Sequence, residues 1–377
     1  MVKKSSGAAK PSKPTPPSPR AAASEDKEAA ETFSADEVRA QQRLLNIFND
    51  AFREVLGRDD FGAVLQKVKG ALYRRDFDAA FGTEQFLEVY AARYSPPRAL
   101  CYGRILGQIS GHMSSVHAYN SAEYEDEVER GRASPTVDFE EEAETSQGTT
   151  LRMLAIGGAA AEIVAFGEHL RSVGPSVVGD LTLLDVGPWQ DVVRTLHASL
   201  TTPPVLTKYA SAAAKASNTA LVAPAERLKS TFVQQDVLEL DRDGLAELLG
   251  RTPLLITMLF TLNELYTTGG VGKTTAFLRN LTAAVPTGSL LLVVDSPGSY
   301  SEAAVGKEAK RYPMQWLLDH TLLQAADKLP SDGCTWGKLE SHDSIWFRHP
   351  ERLRYSIELH DMRYQMHLYR ACPRSSE

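Results

Sequence analysis

The chain has 377 residues, 43% of them apolar, enough for a catalytic domain and a smaller one beside it. No apolar run approaches the roughly 18 to 20 residues needed to cross a bilayer, and the N-terminus lacks the apolar core of a secretory signal, so a soluble intracellular protein is expected. Cys101, Cys334 and Cys372 share no metal spacing with histidines and indicate neither a disulfide framework nor a zinc site. The net charge of −7 is unevenly spread: ten acids against two arginines between Ser121 and Gly148 leave the rest of the chain near neutral.

Residues 1–35 are rich in Pro, Ser, Ala and Lys and bury too little apolar surface to order themselves. Lys3, Lys4, Lys10, Lys13 and Arg20 make this tail basic, so it serves equally as a solubilising segment, a nuclear or nucleolar address or an RNA tether. A helical subdomain is expected over 36–120: Ser34 offers an N-cap, and Leu44, Leu45, Ile47, Phe48, Phe52 and Leu56 recur at helical spacing. Its later part, Phe86 to Tyr94, meets Ser95-Pro96-Pro97, where the double proline is expected to stop the helix. Beside that turn, Arg98 and Tyr102 are candidates to grip RNA by stacking, although core packing and a surface ion pair explain them as well. The acidic stretch 121–148 reads as a flexible linker, and a catalytic domain is expected over 149–377.

That domain alternates strands and helices. Leu151 to Ile156 is a short apolar strand breaking on Gly157-Gly158, and a helix from Glu162 to Arg171 follows. Leu181 to Leu184 is a second strand, delivering Asp185 28 residues after Gly157, where a carboxylate can accept the hydroxyls of a ribose. Further strands are expected at Thr231 to Asp236, Leu254 to Phe260, Leu290 to Asp295, Ser344 to Arg348 and Arg363 to Ala371, with a helix from Tyr312 to Leu329. The fold class is α/β, a doubly wound, Rossmann-like sheet.

In such sheets ligands bind at the carboxyl ends of the strands. The tips carry Asp185 with Trp189 beyond it, a candidate for the adenine face or a core residue; Asp236 and Val237, suited to an adenine edge; Thr261-Leu262-Asn263-Glu264; and Asp295-Ser296 leading to Tyr300. Gly157 and Gly158 resemble the first motif of class I S-adenosylmethionine methyltransferases more than a dinucleotide fingerprint. The acid those enzymes usually carry two residues before the first glycine is replaced by Ala155, and Glu162 is a substitute. The strand-four loop lacks the Asp/Asn-Pro-Pro-aromatic motif of amino-methylating enzymes, and no cysteine stands there for pyrimidine carbon methylation. An acceptor that needs only positioning and loss of a proton remains. Glu264 is placed to take that proton and Asn263 to hold an amide-like base edge; a helix-start carboxylate is the plainer reading of Glu264.

Leu254 through Leu265, Leu291 through Ser301, Tyr94 through Tyr102 and Met362 through Ala371 resemble the fungal 25S rRNA (uridine-N3) methyltransferase family. The resemblance implies a seven-stranded sheet in the order 3-2-1-4-5-7-6, S-adenosylmethionine as cofactor, methylation of N3 of one uridine in large-subunit rRNA or a pre-ribosomal particle, and a nuclear or nucleolar place of work with the cytoplasm as second compartment. No metal is expected, as the scattered cysteines already indicate. Cofactor contacts fall to Gly157, Gly158, Glu162, Asp185, Trp189, Asp236, Val237 and Thr261, catalysis to Asn263 and Glu264, and substrate contacts to Asp295, Ser296, Tyr300, Arg98 and Tyr102. A competing motif, Gly269-Gly270-Val271-Gly272-Lys273-Thr274-Thr275, looks like a phosphate loop and suggests an NTPase. Thr267 and Thr268 stand where its two forms require glycine and lysine, so the segment reads instead as a loop leading into a helix from Thr274 to Ala284. A non-catalytic RNA-binding scaffold with the same fold is the third reading.

Overall fold

Ser34 opens the first helix, α1 (Ala35–Ala51), through a reciprocal cap: its hydroxyl accepts from the Glu37 amide at 3.2 Å, and Glu37 accepts from the Ser34 amide at 2.7 Å. The computed structural model describes residues 33–119, 149–298, 300–305, 308–323 and 333–374, and the side chains of 118, 119 and 300–311 are not among those described. The basic tail and the acidic linker lie outside the described residues.

Helices α2 (Phe61–Tyr73) and α3 (Glu84–Gln108) follow. The double proline does not stop α3, which runs for 25 residues through Pro96 and Pro97. Pro96 has no N–H for the Ala92 carbonyl four residues back. That carbonyl accepts instead from the Tyr355 hydroxyl at 2.6 Å, so a residue near the end of the chain supplies the bond that the helix lacks.

The strands are β1 (His117–Tyr119), β2 (Thr149–Ile156), β3 (Val177–Asp185), β4 (Leu228–Gln234), β5 (Leu255–Leu259), β6 (Leu290–Asp295), β7 (Tyr300–Val305), β8 (Glu308–Pro313), β9 (Thr335–Phe347) and β10 (Met362–Cys372). Seven form the main sheet in the order β4-β3-β2-β5-β6-β10-β9, with β1 pairing antiparallel to the start of β2. Strands β2 to β6 run parallel and β10 is antiparallel to both neighbours. Renumbered along the sheet's own strands, this is 3-2-1-4-5-7-6, the order the resemblance implies. The remaining α-helices of seven or more residues among the described residues are α4 (Ala160–Val173), α5 (Gln190–Thr201), α6 (Arg242–Leu249), α7 (Leu262–Thr268), α8 (Gly270–Ala284) and α9 (Met314–Leu323).

The central strands β5 and β6 are buried at every position and almost wholly apolar, Thr257 and Asp295 apart, because both faces are covered. Leu151, Met153, Leu181, Leu292 and Val294 face one core with α1 to α5, while Leu154, Ile156, Leu184, Leu291 and Val293 face the other with α6 to α9. The N-terminal helices therefore share a core with one side of the sheet. Three expectations are corrected at the periphery. Residues 300–305 and 308–313 pair antiparallel, β7 with β8, where no strand was expected. Strand β9 starts at Thr335, well before Ser344, because this edge strand is largely exposed and polar and carries little apolar signal. Helix α9 starts after Pro313, and 324–332 lie outside the described residues.

Candidate active site

Two turns meet at the carboxyl end of the sheet. Gly157 follows β2 with φ +68°, and a Cβ there would stand 2.3 Å from Cγ2 of Thr261, which follows β5. Only glycine permits both the conformation and the approach. A Cβ on Gly158 would meet Glu162 Cγ at 2.8 Å. Glu162 is buried, accepts from the Ala159 amide at 2.8 Å, and is pushed up to about 7 by burial, its hydrogen bonds opposing.

Asp185 ends β3. Its Oδ1 accepts from the Gly187 amide at 2.7 Å and the Trp189 indole at 3.1 Å, and burial pushes its carboxyl up to about 6. Trp189 is buried, with Phe81 and Tyr90 ring centroids 6.1 and 5.8 Å away. Asp236 and Val237 follow β4; the Asp236 carboxylate accepts from the Leu238 amide at 2.9 Å.

The strand-four segment is the first turn of α7 rather than a loop. Burial pushes Glu264 up to about 7, the Arg98 charge opposing and the Asp295 and Asp185 charges reinforcing. The Asn263 amide donates to Asp295 Oδ2 at 3.0 Å, and the Asn263 side-chain oxygen is buried without a hydrogen-bond partner. Asp295 is 2% exposed and also accepts from the Ser296 amide at 2.7 Å, tying the tip of β6 to the start of α7. Ser296 is exposed, its carbonyl accepting from Gln365 Nε2 at 2.7 Å. The Tyr300 side chain lies outside the described residues.

Arg98 and Tyr102 do not flank a surface turn, because α3 carries them over the cavity. Tyr102 is 1% exposed. Arg98, half-buried, donates to the Tyr90 hydroxyl and lies 5.4 Å from the Tyr90 ring and 5.6 Å from that of Phe260. A single cavity of about 60 Å³ is lined by Arg98, Tyr102, Gly157, Glu162, Asp185, Trp189, Thr261 and Glu264. Gly158, Asp236, Val237, Asn263, Asp295 and Ser296 do not line it. Sequence reasoning missed Tyr90 and Phe260. Tyr90 lies eight residues before Arg98 on a helix that was expected to end between them. Phe260 has φ +62°, an unfavourable conformation for a bulky residue that no sequence pattern announces.

The phosphate-loop segment does not form a cradle. Helix α8 starts at Gly270, the Lys273 ammonium is exposed and pairs with Glu239 at 2.7 Å, and the Thr274 hydroxyl donates to the Leu265 carbonyl at 2.9 Å.

Across residues 48–370 the chain matches the family described as "Putative SAM-dependent methyltransferase". It belongs to that family. The methyltransferase is 26% identical over 354 residues to a 25S rRNA (uridine(2843)-N(3))-methyltransferase of Saccharomyces cerevisiae, covering 87% of this chain and 85% of the relative. Similar solved structures include an O-methyltransferase family protein from Burkholderia thailandensis, at 11% identity over 91% of this chain and 74% of that one with a TM-score of 0.37. A SAM-dependent methyltransferase from Methanosarcina mazei matches at 8% identity over 59% and 93%, with a TM-score of 0.33. The donor set fits S-adenosylmethionine: a glycine cradle that any Cβ would fill adjoins three carboxylates of raised proton affinity, and the cofactor brings an ammonium and a sulfonium. Among the described residues no helix is long and apolar enough to cross a membrane, and no cluster of His, Cys, Asp and Glu suits a metal ion.

Proposed function

We propose that this methyltransferase modifies N3 of one uridine in large-subunit rRNA, working in the nucleus or nucleolus through its 149–377 domain. The observation that carries the reaction class is Glu264, a carboxylate whose proton affinity sits near neutrality at the cavity wall. A general base works best when its pKa lies near the operating pH. No cysteine lines the cavity, and burial pushes the Cys101 thiol well above its usual range and that of Cys334 up to about 12, which disfavours the covalent route to pyrimidine carbon. Uridine N3 is an imide nitrogen that needs only to lose its proton. The identity with the yeast relative supports this acceptor.

S-adenosylmethionine supplies an electrophilic methyl group on sulfur. Glu264 takes the proton from N3 as the nitrogen becomes the nucleophile, and the Arg98 guanidinium facing Glu264 steadies the carboxylate before transfer. The unpartnered Asn263 oxygen can accept from an N–H of the bound base or cofactor. Gly157, Gly158, Glu162 and Thr261 would hold the amino-acid end of the cofactor, Asp185 would offer its Oδ2 to the ribose, and Asp236, Val237 and Trp189 would take the adenine. Ser296 and Tyr300 border the acceptor, and Asp295 fixes the turn that presents it.

The test is to incubate the full chain with S-adenosylmethionine and large-subunit rRNA, digest to nucleosides and identify the product by mass spectrometry. Methylation at N3 blocks the pairing edge, so a reverse-transcription stop must map to the same nucleotide. Product at C5, on a 2′-hydroxyl or on another base would refute the reading.

A further inference from the structure

The carboxyl end of the sheet continues past the cavity onto strands β9 and β10, where the mechanism above uses no residue. Gln365 of β10 pairs with Asp295 at the tip of β6, and Met362 and Arg363 pair with Phe347 and Trp346 of β9. Arg363 and Trp346 thus stand about 7 Å beyond the end of β6, on the side of the sheet where the cavity opens. The lateral offset from the β5 tip, three strands away, is about 15 Å.

Trp346 is 38% exposed at this edge. The Arg348 and Arg363 guanidinium carbons lie 5.5 and 5.4 Å from its ring centroid, and Arg363 is oriented by donating to Ser344 Oγ at 2.7 Å. Neither arginine forms an ion pair among the described residues, so both charges stay available. Trp316, another exposed indole, is already stacked against Tyr312 and His320, with centroids 4.9 and 5.0 Å away. An exposed indole beside two guanidinium groups that no described carboxylate neutralises matches single-stranded nucleic acid, whose bases stack on aromatic and guanidinium planes and whose phosphates seek cations.

We infer that Trp346, Arg348 and Arg363 form a stacking platform that holds a single-stranded rRNA nucleotide flanking the one presented to the cavity. The inference rests on the proposed rRNA substrate and adds the surface that positions it. These are positioning residues, and their loss raises the KM for RNA while kcat and cofactor affinity stay near the wild-type values.

The experiment titrates the full chain with an oligouridylate of about 12 nucleotides, long enough for one such groove, across a salt series, and measures methylation of rRNA in parallel. Trp346→Ala is expected to weaken RNA binding roughly tenfold to a hundredfold, with Trp346→Phe recovering most of the loss. Arg348→Gln with Arg363→Gln should lower the slope of log K against log salt by about 1.4, as expected for two phosphate contacts to a single strand. Unchanged S-adenosylmethionine affinity and thermal midpoint show that each variant is folded. RNA affinity and salt slope equal to wild type in folded variants overturn the platform. The uridine-N3 reading fails separately, if the wild-type chain binds RNA in this platform-dependent way yet forms no N3-methyluridine.

Discussion

Glu264, Glu162 and Asp185 acquire their chemistry from burial rather than from residue type. Each is a carboxyl lifted to about 7, 7 and 6 because the ionised form loses water in a narrow cavity. Glu264→Gln keeps the size and one oxygen acceptor but cannot take a proton. It is expected to lower kcat by roughly 10²- to 10⁴-fold while cofactor binding persists. The wild-type kcat/KM, which reports the unliganded enzyme, should climb as pH rises through about 7, where Glu264 becomes the free base; the same profile of the Gln variant should lack that limb. Gly157 is limiting in another way. Gly157→Ala places a Cβ 2.3 Å from Thr261 at φ +68° and is expected to destabilise the chain by about 1–3 kcal/mol, read as a fall in the urea midpoint. Adding Thr261→Ala should recover only part of this, because the backbone strain remains.

Helix α3 shows how an element can depend on a residue far along the chain. The Ala92 carbonyl relies on Tyr355, 263 residues away. Tyr355→Phe leaves that carbonyl without its partner, at a cost of about 1–3 kcal/mol. Pro96→Ala in the same background should restore stability, since the new N–H can donate to Ala92; a double-mutant cycle in urea checks both effects. The same dependence explains what the sequence concealed. Local rules end a helix at Pro-Pro, and the compensating hydroxyl lies outside any local window, so Arg98 and Tyr102 read as residues beside a turn, open to RNA stacking, core packing or an ion pair, when they line a cavity wall. The doubly covered strands were legible because every residue from Leu290 to Val294 is apolar, and Asp185 was legible because a strand tip follows from strand length. The β7–β8 pair and the first half of β9 were not, since residues such as Lys338 and Glu340 on an edge strand carry no alternation to detect.

At the scale of the molecule, the helical layer and the sheet close on a cavity of about 60 Å³, room for a few waters and far less than a nucleoside cofactor requires. Tyr90, Ser95, Arg98 and Tyr102 of α3 line the cavity, so hydrogen exchange along residues 90–102 is expected to change on cofactor binding. Protonation is coupled to that step. All three carboxyls have pKa values raised above the unfolded ones, so their contribution to stability is complete below the unfolded values near 4 and is lost as pH rises through 6 to 7. The unliganded protein should lose thermal stability across that window. A cationic cofactor reverses the effect by favouring the ionised carboxylates, so it must displace protons as it binds. Calorimetry near pH 6 in buffers of different ionisation enthalpy is expected to show proton release, with affinity rising towards pH 7.5 and then levelling. Replacing Glu162 by Gln should diminish that release. If proton uptake were observed instead, the carboxylates would be facing something other than the positive end of the cofactor, and the assignment of Glu162 and Asp185 to its binding would fall.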